Sequence, residues 1–88
     1  MIQTHDSNQS AISRLGIVLS TFPAEAKALE VARILVTERL VACVNVIPKM
    51  TSVYMWKGQL CEEGEVLCIL KTESRFFEQL RVRLVALH

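Results

Sequence analysis

Eighty-eight residues with a formal net charge of +1 provide for one domain and no more. Hydrophobic residues make up 51% of them and mean hydropathy is +0.32, yet the longest apolar runs are four or five residues. That is far short of the roughly 20 needed to cross a bilayer, and no basic stripe or nucleic-acid module is visible, so membrane-spanning and nucleic-acid-binding classes are set aside.

Residues 1–13, MIQTHDSNQSAIS, are polar and lack the apolar segment of a signal peptide. They read as a flexible tail, and a cytoplasmic address follows by default. The domain then occupies residues 14–88. Leu15–Phe22, LGIVLSTF, is a short apolar run suited to a strand buried on both faces. Pro23 suits the first turn of a helix, with Thr21 and Glu25 as polar company. From Ala24 to Leu40, the residues Leu29, Ala32, Leu35, Val36 and Leu40 keep helical spacing, opposite Lys27, Glu30, Arg33 and Thr37. Ile34 falls among the polar positions, either as plain surface apolarity or as a contact with another subunit.

Residues 41–57, VACVNVIPKMTSVYMWK, are strand-like on both sides of Pro48, whose missing N–H does not suit a central strand. Either two short strands flank a loop, or one long strand bends and leaves the sheet. Trp56-Lys57-Gly58-Gln59 then predicts a tight turn, with Gly58 where positive φ is needed. Strand character resumes over residues 59–72, where Gly64 suggests a bulge or bend. Thr72 or Ser74 is placed to cap a last helix whose apolar side is Phe77, Leu80, Leu84 and Leu87, with Glu78, Arg81 and Arg83 opposite.

The order is β-α-β-β-α. A strand, a helix and a hairpin whose second arm pairs beside the first strand form a split β-α-β unit, an α+β fold of ferredoxin-like type. Right-handed crossovers put both helices on one face, which leaves the other face uncovered and apolar. A chain this short buries only about 60–65% of the surface that its unfolded form exposes. Association with further copies is therefore expected, against the alternative of a monomer with a greasy surface. No strand follows the last helix to flank the first strand, so that strand would show an open apolar edge. On this reading the fold is C-terminally incomplete.

Ala42-Cys43-Val44-Asn45, then Pro48, then Ser52, Tyr54, Trp56 and Gly58, with LSTFP before them and ILKT after, resemble the CutA family of divalent-cation tolerance proteins. The resemblance runs from about Gly16 to His88. It implies a ferredoxin-like subunit in a tight homotrimer, with sheets packed edge to edge around a threefold axis. It also implies a long, bent hairpin that reaches a neighbouring subunit, with Pro48 marking the bend.

Donors suited to copper and other soft or borderline cations are Cys43, Cys61, Cys68, Met50, Met55, His5 and His88. Three cysteines without C-x-x-C spacing argue against a disulfide framework and against a structural zinc site within one chain. The copper site assigned to some family members uses a first-strand cysteine and two adjacent histidines. The matching positions here are Ser20, Leu87 and His88, so the resemblance carries over His88 alone. His88 is either a metal ligand or a helix-terminal cation favoured by the dipole. Cys43 is the second metal candidate, against the reading of a buried free thiol near Cys68. Asn45, Tyr54, Trp56 and Lys71 are the candidate lining of an intersubunit cleft for a small anion or metabolite. Tyr54 and Trp56 serve equally as interface anchors. Met50 and Met55 suit irregular packing, and His5 belongs to the tail.

Three function classes follow. The first is a non-enzymatic homotrimer tied to divalent-cation tolerance, copper above all, with metal held weakly or between subunits. The second is a regulatory trimer of the nitrogen-signalling type with small ligands in its clefts, an analogy of fold alone. The hairpin offers it no long polar loop and no Gly-rich phosphate cradle. The third is an enzyme using Cys43 or Lys71, although no histidine lies near Cys43 in sequence to activate it.

Overall fold

Along Leu15–Phe22, exposed and buried residues alternate, with Val18, Ser20 and Phe22 turned inward. The computed structural model describes residues 2–6 (3–6 through their backbone alone) and 14–88, and builds a four-stranded sheet around this segment. The elements run β1 (Ile2–Asp6), β2 (Leu15–Phe22), α1 (Glu25–Thr37), β3 (Cys43–Trp56) and β4 (Gln59–Glu73). A 3-10 turn at Ser74–Phe76 then leads into α2 (Phe77–Leu87). Sheet order is β1-β2-β4-β3, with every neighbouring pair antiparallel. From β2 onward this is the β-α-β-β-α order of the ferredoxin-like split β-α-β sandwich.

The core lies between the helices and one sheet face. Val18 and Phe22 of β2 and Val66, Cys68 and Leu70 of β4 meet Ala28, Val31 and Leu35 of α1 and Leu80 and Leu84 of α2, all buried. Each such leucine contributes roughly 1.5–3 kcal/mol by leaving water. The buried stripe of α1 sits one residue ahead of the arc read from sequence. Leu29 and Ala32 are half-buried, Val36 is 42% exposed, and Ile34, the apparent misfit, is half-buried. Ala28 explains the offset, because its single methyl lets the helix settle close to the sheet where a larger residue would hold it off. β2 also departs from expectation: on its outward face Leu15 is 69% and Ile17 38% exposed, and only Thr21 at the far end is buried.

α1 stops at Thr37 rather than Leu40. The Arg39 N–H donates to the Val36 carbonyl (3.0 Å) and the Leu40 N–H to the Leu35 carbonyl (3.1 Å), the paired bonds of a Schellman cap. The cap places Arg39 at φ 61°, a conformation that suits glycine. Neither Thr72 nor Ser74 caps the last helix. Thr72 is buried and its hydroxyl donates to the Leu40 carbonyl at 2.7 Å, while the Ser74 hydroxyl accepts from the Arg14 N–H at 3.1 Å. Both hydroxyls are spent on tying neighbouring segments to the end of β4.

Pro48 lies within one continuous strand. Ile47 pairs with Leu67 and Met50 with Glu65, so Pro48 and Lys49 together face the single residue Val66. This is a β-bulge, with Lys49 at φ 63°, and it leaves proline where no ladder N–H is required. Gly64, the bulge expected from sequence, is instead in register opposite Thr51. Lys57 (φ 50°) and Gly58 (φ 78°) close the hairpin as a two-residue turn of the I′ kind.

Of the stretch expected to be a flexible tail, residues 2–6 are described, as strand β1. Ile2–Asp6 pairs antiparallel along β2, from Ile2 opposite Ser20 to Asp6 opposite Gly16. It occupies the edge that sequence left open, because unpaired N–H and C=O groups on an apolar strand recruit any extended segment within reach. Residues 7–13 lie outside the described residues.

Two outcomes follow. Arg39→Gly removes the left-handed strain and is expected to raise stability by about 1 kcal/mol, partly offset by the greater freedom of glycine in the unfolded chain, read as a higher urea midpoint. Glu38 pairs with Arg83 through two bonds of 2.6 and 2.8 Å across the helix ends. The guanidinium holds the Glu38 carboxyl below its usual 4.5, against a smaller opposing effect of burial. Because the folded-state value is the lower one, the pair's contribution is full above 4.5 and is lost as pH falls through the folded value. Glu38→Gln should flatten that acid-side fall in a series of denaturant melts.

Candidate functional site

Even-numbered residues of β4 from Val66 to Thr72 point into the core, so its odd-numbered residues face away from the helices. Register then defines an open face in cross-strand rows. Ile17, Lys71 and Cys43 form one row, Leu19, Ile69 and Asn45 the next, and Thr21, Leu67 and Ile47 a third. Beyond Val66 the hairpin runs past the end of β2 as a free arm. Its part of the same face carries Met50, Ser52, Tyr54 and Trp56 on β3, opposite Glu65, Glu63, Cys61 and Gln59 on β4. The reverse face of the arm shows Val53, Met55 and Leu60, each more than half exposed.

A polar ladder stiffens the arm. The Ser52 hydroxyl donates to the Glu65 carboxylate at 2.6 Å, and the Tyr54 hydroxyl bonds to the Glu63 carboxylate. Both bonds run diagonally, two residues beyond the direct partner. The Glu63 bond, then burial, then nearby negative charge raise the Tyr54 hydroxyl above its usual 10.0. Trp56 sits at the tip with the Lys57 ammonium 5.7 Å from its ring centroid. Sequence reading passed over Ser52, Glu63 and Glu65 as site residues. Counting back from the Lys57-Gly58 turn would have paired them.

The candidate cleft residues do not converge within one chain. Asn45 and Lys71 lie near the base of the sheet, whereas Tyr54 and Trp56 stand on the arm. At about 3.3 Å per residue, Cys43 and Trp56 are roughly 40 Å apart along β3. Cys43 is exposed rather than buried and faces Lys71, not Cys68. Cys68 is the buried thiol, across the sheet among the core residues, and burial raises its pKa.

His88 ends α2. Its ring stacks on Phe22 with centroids 4.7 Å apart, and Nε2 donates to the Thr21 carbonyl at 3.1 Å. That bond leaves Nδ1 as the nitrogen able to meet a cation. Ser20 is fully buried, its hydroxyl without a partner among the described residues, and Leu87 is half-buried against the core. Cys43 and His88 thus stand at opposite ends of the sheet, on different faces. Among the described residues no three His, Cys, Asp or Glu side chains gather where they would hold a metal. The donors of one chain among the described residues therefore do not by themselves form a copper site.

These features define a ferredoxin-like subunit with a projecting hairpin and a bare apolar sheet face. Residues 16–88 match the family model described as CutA1 divalent ion tolerance protein. The divalent-cation tolerance protein CutA of Thermus thermophilus is 46% identical over 72 residues, covering 82% of this chain and 70% of its own length. Human Protein CutA is 54% identical over 54 residues, or 61% of this chain and 30% of the human one. Among solved structures, the T. thermophilus protein superposes with a TM-score of 0.80 at 44% identity, covering 85% of this chain and 73% of that one. The PII-like protein CutA from Nostoc sp. PCC 7120 in apo form gives 0.73 at 38% identity, covering 88% and 69%. The chain belongs to the CutA1 divalent ion tolerance family.

Tyr54 is the single tyrosine, so phenolate absorbance reads it alone. Its titration midpoint should lie above 10.0, and Glu63→Gln should bring it back down towards that value. An unchanged midpoint in the variant would remove Glu63 as the cause.

Proposed function

We propose that the protein is a cytoplasmic, non-enzymatic homotrimer acting in divalent-cation tolerance, with copper first among the cations. The observation that carries this is apolar surface left without cover. Val53, Met55, Trp56 and Leu60 on the hairpin arm, and Leu15 at the start of β2, are each more than half exposed. Sheltering such surface gains about 25 cal/mol per Å², which a neighbouring copy would supply. Metal is then shared: one donor per subunit around a symmetry axis makes up what a single chain lacks, with Cys43 and His88 as the donors.

A second reading keeps the trimer and gives it a small-molecule ligand. The relative from Nostoc carries the description PII-like, and in a trimer the arm of one copy would bring Tyr54 and Trp56 to the Asn45 and Lys71 of another. A thermal-shift screen against nucleotides and small organic acids would raise the melting temperature if such a cleft is built.

Light scattering should give a mass three times the 9.9 kDa chain, and Trp56→Asp should shift it towards the single chain. A folded, single-copy wild type would sink both readings. With the trimer in hand, copper titration by calorimetry should bind wild type at least about tenfold more tightly than His88→Ala or Cys43→Ser. Identical heats in all three would remove these residues as ligands.

A further inference from the structure

The hairpin arm sets its one thiol against its one phenol. Tyr54 and Cys61 are direct cross-strand partners on the face that also holds Ser52 and Glu63, so their Cβ atoms stand about 4.5–5.5 Å apart. They are close enough for charge on the sulfur to be felt at the phenol. No other cysteine has an aromatic ring opposite it: Cys43 faces Lys71, and Cys68 lies between Ser20 and Val46. Tyr54 is the single tyrosine, so the pairing occurs once.

Both groups are open to reaction. Cys61 is half-buried, and its S–H is held by a long contact of 3.8 Å to the Gln59 carbonyl of its own strand. A thiol held so lightly is within reach of a molecule as small as hydrogen peroxide, which takes thiols to sulfenic acids. The Tyr54 hydroxyl bonds to the Glu63 carboxylate, which lies next to Cys61 along the same face. Sharing its proton with an anion enriches the ring in electrons, chiefly at the two Cε carbons beside the hydroxyl-bearing one.

We propose that Cys61 and Tyr54 form a peroxide-triggered thioether cross-link, a covalent lock across the two strands of the arm. In the first step the thiol takes one oxygen from hydrogen peroxide, giving a sulfenic acid at Cys61 and one water. In the second a Tyr54 Cε carbon attacks that sulfur. The C–S bond forms as the S–O bond breaks, and the departing hydroxide leaves as water with the proton lost from the ring carbon. The thiol and the ring each give up one hydrogen, and one peroxide becomes two waters. Glu63 is a positioning residue, holding the phenol proton while the ring attacks. Both partners belong to one chain, so the lock needs neither the trimer nor a bound metal.

The test treats full-length protein with hydrogen peroxide, reduces it with dithiothreitol and cleaves it with trypsin, which cuts after Lys49, Lys57 and Lys71. Residues 50–57 should remain joined to residues 58–71 at the summed mass less two hydrogens, apart from any oxygen gained by Met50 or Met55. Cys61→Ser and Tyr54→Phe should each release separate peptides, and Cys43→Ser should still cross-link. Glu63→Gln should slow the joining at least about tenfold while leaving sulfenic acid formation at Cys61, read by dimedone trapping, unchanged. Separate peptides in wild type, with Cys61 carried on to sulfinic or sulfonic acid, overturn the proposal. A reductant-resistant link that survives in Tyr54→Phe also overturns it, since another group would then have taken the sulfur. Equal joining rates in wild type and Glu63→Gln overturn the part given to Glu63.

Discussion

A four-stranded sheet has two faces, and this chain brings two helices to the same one. α1 and α2 cover Val18, Phe22, Val66 and Leu70, while among the described residues Leu15, Ile17 and Ile47 on the other side stay exposed. Helix placement follows from the handedness of the β-α-β crossover and cannot be altered by a few side chains. The bare face and the arm that extends it are therefore built into the connectivity. The polar ladder of Ser52, Tyr54, Glu63 and Glu65 ties the two strands of the arm together beyond the core. Such stiffness keeps the loss of conformational freedom small when a partner packs against it.

Much of this was legible before any coordinates. The apolar run of β2, the stripe of Leu80 and Leu84 on α2, and the Lys57-Gly58 turn all follow from period and turn chemistry. What escaped was decided by tertiary fit. The facing of α1 turned on Ala28, a residue that carries little weight in a hydrophobic pattern yet sets how closely the helix approaches the sheet. Cys43 is exposed because it falls on the outward parity of β3, and parity is readable only once register is known. β1 was missed because its polar composition describes a good edge as well as it describes a tail. The candidate site was legible as a set of residues and not as a place, since Asn45 and Tyr54 share a face but stand far apart along it.

Among the described residues, three other than glycine adopt positive φ: Arg39, Lys49 and Lys57. Each sits where surrounding bonds over-determine the backbone, respectively a helix cap, a bulge and a hairpin turn. All three carry long basic side chains and all are exposed. The strain is local and the side chains are free to remain in solvent, so the fold tolerates non-glycine residues at its sharpest reversals.

The bulge at Pro48 and Lys49 also sets which chemistry the arm presents. In an unbroken strand Cys43, Asn45 and Ile47 would share their side with Lys49, Thr51, Val53 and Met55. Because two residues stand against one, the parity flips, and Met50, Ser52, Tyr54 and Trp56 take that side instead. One inserted residue thus works as a phase shifter. It turns the phenol and the indole towards the face that holds Asn45, and turns Thr51, Val53 and Met55 to the back. Lineages that lose or gain a residue at this point would exchange the two sides of the ribbon while leaving its length and its turn almost untouched.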